Sequence, residues 1–241
     1  MLTALTCPKG EVATNLCSHL DLVEHGRATE CDLVLLPEMS LTGYQASAAI
    51  TLDDPAVDRL VAASAGGPAL CFGLVESSST TDPRPFITQV LAVDGAAAVV
   101  HRKAGLATDE QADFQRGEGS GQLTVAGEAT ALAVCAEIGS QPPYAQGASL
   151  VLGPAAPGLY GPRRVTEEDW QRGYDWWRAS VLGDATRLLP TGSFLAVSTQ
   201  AGATVDEDFP GWAALIDADG QLVAELTDHH QGTLVVTLGA D

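Results

Sequence analysis

Apolar and polar positions fall into two rhythms along the chain. Short apolar runs closed by turn residues predict buried strands. They are Leu2 to Thr6, Leu33 to Leu36, Ala69 to Val75, Gln122 to Val125, Ala131 to Cys135 and Ala148 to Leu152. Ile87 to Val93 and Ala96 to His101 are two more, joined by Asp94-Gly95, a turn that makes its flanking strands antiparallel. Ser193 to Thr199, Trp212 to Ile216, Leu222 to Leu226 and Thr233 to Leu238 close the chain, with Asp219-Gly220 as a second hairpin turn. Helical spacing appears in Glu11 to Arg27 (Val12, Leu16, Leu20, Val23) and in Asp53 to Ala65 (Val57, Leu60, Val61), which Gly66-Gly67-Pro68 breaks. A third helix starts at Thr166-Glu-Glu-Asp169, carries Trp170, Tyr174, Trp176 and Trp177, and continues with a break near Gly183 to Leu189, where Pro190-Thr-Gly192 ends it. Ala107 to Gly119 reads as a loop or single helical turn, and the chain is irregular from Pro154 to Thr166. Hairpins mixed with crossovers predict an α/β chain with mixed sheets, its helices packed outside a strand-rich core. No linker, repeat or low-complexity segment interrupts it, so one domain is expected over residues 1–241.

Chemistry collects where these strands end. Pro37 stops the second strand and leaves Glu38 just past it, where open α/β sheets gather ligand-binding residues. The second strand of the Asp94-Gly95 hairpin runs out through His101-Arg102-Lys103, and the run from Ala131 ends in Cys135, followed at once by Gly139 and Pro142-Pro143. A thiol near its normal pKa is mostly protonated at neutral pH and needs a base before it can attack. Glu38 can be that base if burial raises its pKa. The oxyanion formed on attack needs preorganised donors, which Lys103 and the backbone N–H of Ala136 can supply.

Composition narrows the setting. The net charge of −19 and pI near 4.3 repel nucleic acid and anionic membranes. No apolar run is long enough to span a membrane, and the N-terminus lacks the basic and cleavage features of a secretory signal. Five cysteines without a CxxC pair argue against a disulfide framework or zinc cage, so a reducing cytoplasm is the expected compartment. Lysine occurs only at 9 and 103, while arginine serves elsewhere; a point-like ammonium at 103 and simple codon bias explain this equally well.

Leu35-Leu-Pro-Glu-Met-Ser-Leu-Thr-Gly-Tyr44, His101-Arg-Lys103 and Val134-Cys-Ala-Glu137 resemble the three signature segments of the nitrilase superfamily of carbon–nitrogen hydrolases, in its order and approximate spacing. Asn15-Leu16, Asp109 to Phe114 with Gly117, Gly147-Ala148 and Gln200-Ala-Gly202 extend the resemblance over nearly the whole chain. The resemblance implies a four-layer αββα sandwich, usually dimerised, that hydrolyses a linear amide, carbamoyl or nitrile-type C–N bond through an acyl-enzyme, without metal or cofactor. It implies Glu38 as general base, Lys103 as oxyanion-stabilising cation, Cys135 as nucleophile, and Glu110 as a second glutamate that orients lysine and substrate. The chain departs from the family pattern in two places. His101 stands where tyrosine is common, and the segment from Cys135 to Gly147 is short.

Each candidate has a bland alternative. Free cysteine is most often inert packing, but Cys135 stands with Glu38 and Lys103 in matching segments. Ala136, Glu137 and Tyr44 are the remaining substrate-contact candidates. For Glu137 a structural hydrogen bond is an equal alternative, and for Tyr44 packing beside the base. The Trp170–Trp177 cluster is expected to pack a helix on the sheet or on a partner subunit more than to wall a pocket, and His229-His230 to lie in a surface turn. The expected partners are a small-molecule amide and a second copy of the chain, with no nucleic acid and no membrane. A catalytically silent binding member of the fold and an amine-acceptor acyltransferase are the alternatives to a hydrolase.

Overall fold

The computed structural model describes all residues except 80, 141, 159–165, 190–191, 205, 228–229 and 239–241. Most of the stretch expected to be irregular before Thr166 (residues 159–165), Pro190-Thr191 of the expected helix end and His229 of the expected surface turn lie outside the described residues. Among the described residues the strands are β1 (Leu2–Leu5), β2 (Leu33–Leu35), β3 (Ala69–Glu76), β4 (Phe86–Val93), β5 (Ala96–Arg102), β6 (Leu123–Val125), β7 (Glu128–Leu132), β8 (Leu150–Ala155), β9 (Phe194–Ala203), β10 (Asp208–Pro210), β11 (Ala213–Ile216), β12 (Leu222–Leu226) and β13 (Gly232–Leu234). The helices are α1 (Val12–Ala28), α2 (Pro55–Ala63) and α3 (Glu167–Leu188).

The strands pair in the order β5-β4-β3-β2-β1-β9-β8-β7-β6. Each helix is a crossover between parallel neighbours: α1 joins β1 to β2, α2 joins β2 to β3, and α3 joins β8 to β9. The β4–β5 hairpin is antiparallel, and Asp94 and Gly95 both take positive φ (48° and 78°), as its two-residue turn requires.

Side-chain alternation stacks these elements into four layers. Leu16 and Val23 of α1 and Leu60 of α2 pack on Val34, Leu70, Phe72, Leu74 and Val90. The opposite face of those strands offers Leu2, Leu35, Cys71 and Leu91 to Leu132, Leu150, Leu152, Ala196 and Leu215 from the other half. The outer face of that half, with Val151, Leu195 and Val197, receives Trp170, Tyr174, Trp177 and Val181 of α3. This is the αββα sandwich, helices outside and sheet halves face to face. Period-two alternation within each strand makes it possible, because one strand serves two apolar layers.

Several boundaries differ from the expected ones. α3 runs unbroken through Gly183, where an added Cβ would meet open space; a lone glycine lowers helix propensity without stopping a helix anchored elsewhere by packing. Thr166 caps it as expected, its hydroxyl accepting from the Asp169 N–H at 3.2 Å. β8 continues through Pro154 to Ala155, β13 stops at Leu234, and the short β10 has no apolar run to announce it. β7 stops at Leu132, three residues before Cys135, so the thiol sits not on a strand end but on the turn that follows it.

Candidate active site

Glu38 follows β2 and is fully buried. Gln200 of β9 donates to its backbone carbonyl at 2.8 Å, and the next residue, Met39, takes a positive φ of 51°. This bend lies so close to β3 that a Cβ on Gly73 would stand 2.3 Å from the Met39 nitrogen, which makes glycine the residue that fits there. Lys103 emerges from the end of β5, also fully buried. Its Nζ donates to Glu38 Oε1 at 2.8 Å and to Glu110 Oε1 at 2.6 Å. Glu110 opens a short 3-10 turn, and its second oxygen accepts from the Ala107 N–H at 2.7 Å. The second oxygen of Glu38 accepts from the Ala156 N–H at 2.9 Å, just beyond β8. Both halves of the sandwich therefore hold the same carboxylate.

Cys135 is the first residue of a 3-10 turn, with φ of 50°. A non-glycine residue pays about 1–2 kcal/mol for that conformation. The thiol lines a cavity of about 350 Å³ together with Tyr44, Glu110, Ala136, Ala156 and Trp177. Trp176, Asp109 and Asp184 stand elsewhere on the same wall.

The charges act on one another. Burial raises the pKa of Glu38, the Lys103 ammonium pulls it back and Glu110 pushes it further, leaving it at about 7 against an ordinary 4.5. Burial opposes the Lys103 charge, but Glu38, Cys135 and Glu110 outweigh it, so the ammonium is held above its ordinary range. The Cys135 thiol is pushed well above its ordinary value, by burial first and by the Glu38 charge next, with Lys103 and the Ala156 N–H pulling the other way. Tyr44 is likewise raised, by burial and then by the Glu110 and Glu38 charges, and remains a neutral phenol. Its ring stacks on Phe114 at 6.1 Å between centroids.

The structure thus gathers Glu110, Cys135, Ala136 and Tyr44 on one cavity wall, with Lys103 bonded to both Glu110 and Glu38. Glu137 does not join them. It is fully buried and takes no part in the cavity wall; its oxygens accept from the N–H groups of Val134, Ala104 and Gly105 and face Nε2 of His101. Of the two readings of Glu137, substrate contact and a structural hydrogen bond, this geometry matches the second. The tryptophan cluster divides between two roles. Trp170 and Tyr174 stack at 5.1 Å against the sheet, while Trp176 and Trp177 wall the cavity, Trp176 being 55% exposed. Ala156 went unseen in the sequence because it contributes only a backbone amide, which leaves no side-chain signature. Among the described residues no group of three His, Cys, Asp or Glu side chains could hold a metal ion, and no helix is long and apolar enough to cross a membrane.

This fold and site define a known class. The carbon–nitrogen hydrolase family matches residues 4–241, and the chain belongs to that family. An amidase from Nesterenkonia sp. AN1, solved with the product of acrylamide addition at its active-site cysteine, is 25% identical, covers 100% of this chain and 92% of its own, and superposes with a TM-score of 0.79. A CN-hydrolase superfamily protein from Xanthomonas campestris, with an arsenic adduct in its active site, shares the fold at 20% identity, covering 98% of this chain and 89% of its own, with a TM-score of 0.78. A glutamine-dependent NAD+ synthetase from Acinetobacter baumannii shares it over 96% of this chain and 43% of its own, at 17% identity and a TM-score of 0.75. A search of curated proteins finds no significant match.

Proposed function

We propose that the protein hydrolyses a non-peptide linear amide or carbamoyl C–N bond, nitriles being poorer substrates, through an acyl-enzyme on Cys135. The observation that carries this reading is one buried ammonium clamped between two carboxylates beside a cavity-facing thiol. The similarity to an amidase with a reactive active-site cysteine supports it.

In this reading Glu38 takes the proton from the Cys135 sulfur as sulfur adds to the substrate carbonyl carbon. The transfer leaves a single negative charge on the Glu38–Cys135 pair before and after, so the dry cluster gains no charge. A raised thiol pKa favours this concerted transfer over a standing thiolate. Negative charge then develops on the carbonyl oxygen, where Lys103 and the Ala136 N–H act; each such donor is worth roughly 3–4 kcal/mol of transition-state stabilisation. The tetrahedral intermediate collapses by breaking C–N, and Glu38 returns the proton to the leaving amine. Water, deprotonated by Glu38, attacks the thioester, releasing the carboxylic acid and restoring the thiol. Glu110 anchors the ammonium, and Tyr44, Trp176 and Trp177 shape the space for the acyl group.

In the same reading residues 1–241 form one domain that works in the cytoplasm as a homodimer or higher homo-oligomer. The test is a panel of small amides, carbamoyl compounds and nitriles assayed with wild type and Cys135→Ala. Acid and amine released by wild type and lost in the variant are expected. Turnover retained by Cys135→Ala would refute the reading.

A further inference from the structure

Glu137 lies outside the cavity, yet it touches both segments that carry the proposed chemistry. One oxygen accepts from Ala104 N–H at 2.7 Å and Gly105 N–H at 3.0 Å, the two residues directly after Lys103. The other accepts from Val134 N–H at 2.8 Å, the residue directly before Cys135, and faces His101 Nε2 at 2.9 Å. The Glu137 backbone N–H also donates to the Val134 carbonyl at 3.0 Å, closing the turn on which Cys135 holds its positive φ. The fit is tight on the lysine side, where a Cβ on Gly105 would come 2.9 Å from Glu137 Cγ.

Because an ionised carboxylate only accepts, His101 Nε2 carries the hydrogen that points at Glu137, and Nδ1 lies 3.0 Å from Ser120 Oγ. Burying a carboxylate is costly unless its lone pairs are engaged. Here four donors engage them, three from residues 101–105 and one from the nucleophile's turn. No amide side chain can replace this, since a Gln would turn an NH2 toward N–H groups that can only donate.

We infer that Glu137, held by His101, is a positioning residue that sets the Lys103 ammonium and the Cys135 sulfur at their working separation. This rests on the proposed roles of Lys103 and Cys135. Glu137 touches neither substrate nor reacting atoms; it acts through the two backbone segments. A misplacement of about 1 Å between such groups can cost on the order of 100-fold in rate.

The test uses iodoacetamide alkylation of Cys135, followed by peptide mass spectrometry from pH 5 to 10, so that it needs no identified substrate. For Glu137→Gln we expect alkylation slower by about tenfold or more at neutral pH. Its pH midpoint should move upward, because of the charged and titratable groups around the sulfur (Glu38, Lys103 and Glu110, with Tyr44, Asp109 and Asp184 on the cavity wall) it is Lys103 that favours the thiolate. With a turned-over amide, kcat should fall while KM stays near wild type. His101→Gln, which keeps a donor near the Nε2 position, should restore most of what His101→Leu loses, and this pair decides the matter if Glu137→Gln fails to fold. Unchanged rate and midpoint in Glu137→Gln, a loss confined to KM, or full reactivity in His101→Leu would each overturn the inference. If iodoacetamide modifies the exposed Cys17 but leaves wild-type Cys135 unmodified across this whole pH range, the nucleophile reading itself fails and takes this inference with it.

Discussion

Glu38 and Glu137 are both fully buried carboxylates, and both are bonded to the segment around Lys103, yet their surroundings set them to opposite tasks. Glu137 is enclosed by N–H donors from four residues. Glu38 has one backbone N–H and one ammonium, with a second carboxylate sharing that ammonium and a thiol in electrostatic reach. A saturated carboxylate can only hold things in place. One left with a shared cation and a raised pKa can gain and lose a proton near neutral pH. Burial alone therefore does not mark a catalytic acid or base; the number and kind of donors around it does.

The largest effect expected on the Glu38 side is from Cys135→Ala, which should lower kcat by about 10⁴-fold or more while Tm changes little, because the side chain removed is small. Steady-state rates and thermal melts check it. Lys103→Met should cost about 10² to 10³ in kcat. It should also remove roughly 3–5 kcal/mol of stability, since Glu38 and Glu110 would face each other buried and unpaired. Denaturant titration separates that loss from the catalytic one, and an unchanged midpoint would mean the clamp is not what the geometry suggests.

The pH dependence sharpens the comparison further. A base with a pKa of about 7 should give kcat/KM an acid limb that falls roughly tenfold per pH unit below that value. The sign for stability is opposite to that of an ordinary salt-bridged acid. A carboxyl whose pKa rises on folding favours the folded state while protonated. Its contribution is full below about 4.5 and is lost as pH rises through about 7. Glu38→Gln should flatten that part of the stability profile. In the cavity wall, Trp177→Ala should cost about 3–5 kcal/mol of stability. Trp176→Ala, more than half exposed, should leave stability within about 1 kcal/mol and raise KM several-fold. Equal destabilisation by both would contradict the difference in burial between these two wall residues.

Much of this was legible in the sequence because turn residues placed right after apolar runs put Glu38 and Lys103 at strand ends. The four layers were not legible from alternation alone; they came from the resemblance, and the pairing of Leu35 and Cys71 with Leu152 and Leu215 across the two sheet halves accounts for them. Reading the run to Cys135 as strand was wrong by three residues, because Ala133 and Val134 are as buried as strand residues while forming the entry to a turn. The Glu137 environment was invisible for a different reason. Three of its four donors are backbone N–H groups, supplied by residues whose side chains carry no signal. Trp176 and Trp177 were adjacent in sequence but take different exposures, since consecutive helical positions point about 100° apart.

The central claim is that the three side chains work on one carbonyl through a thioester at Cys135. Rapid-quench mass spectrometry of wild type mixed with a turned-over small amide tests this most directly. The account predicts an acyl mass on the Cys135 peptide that forms and decays at rates matching amine and acid release. Steady acid release with no adduct on that peptide, and with turnover surviving in Cys135→Ala, would contradict it.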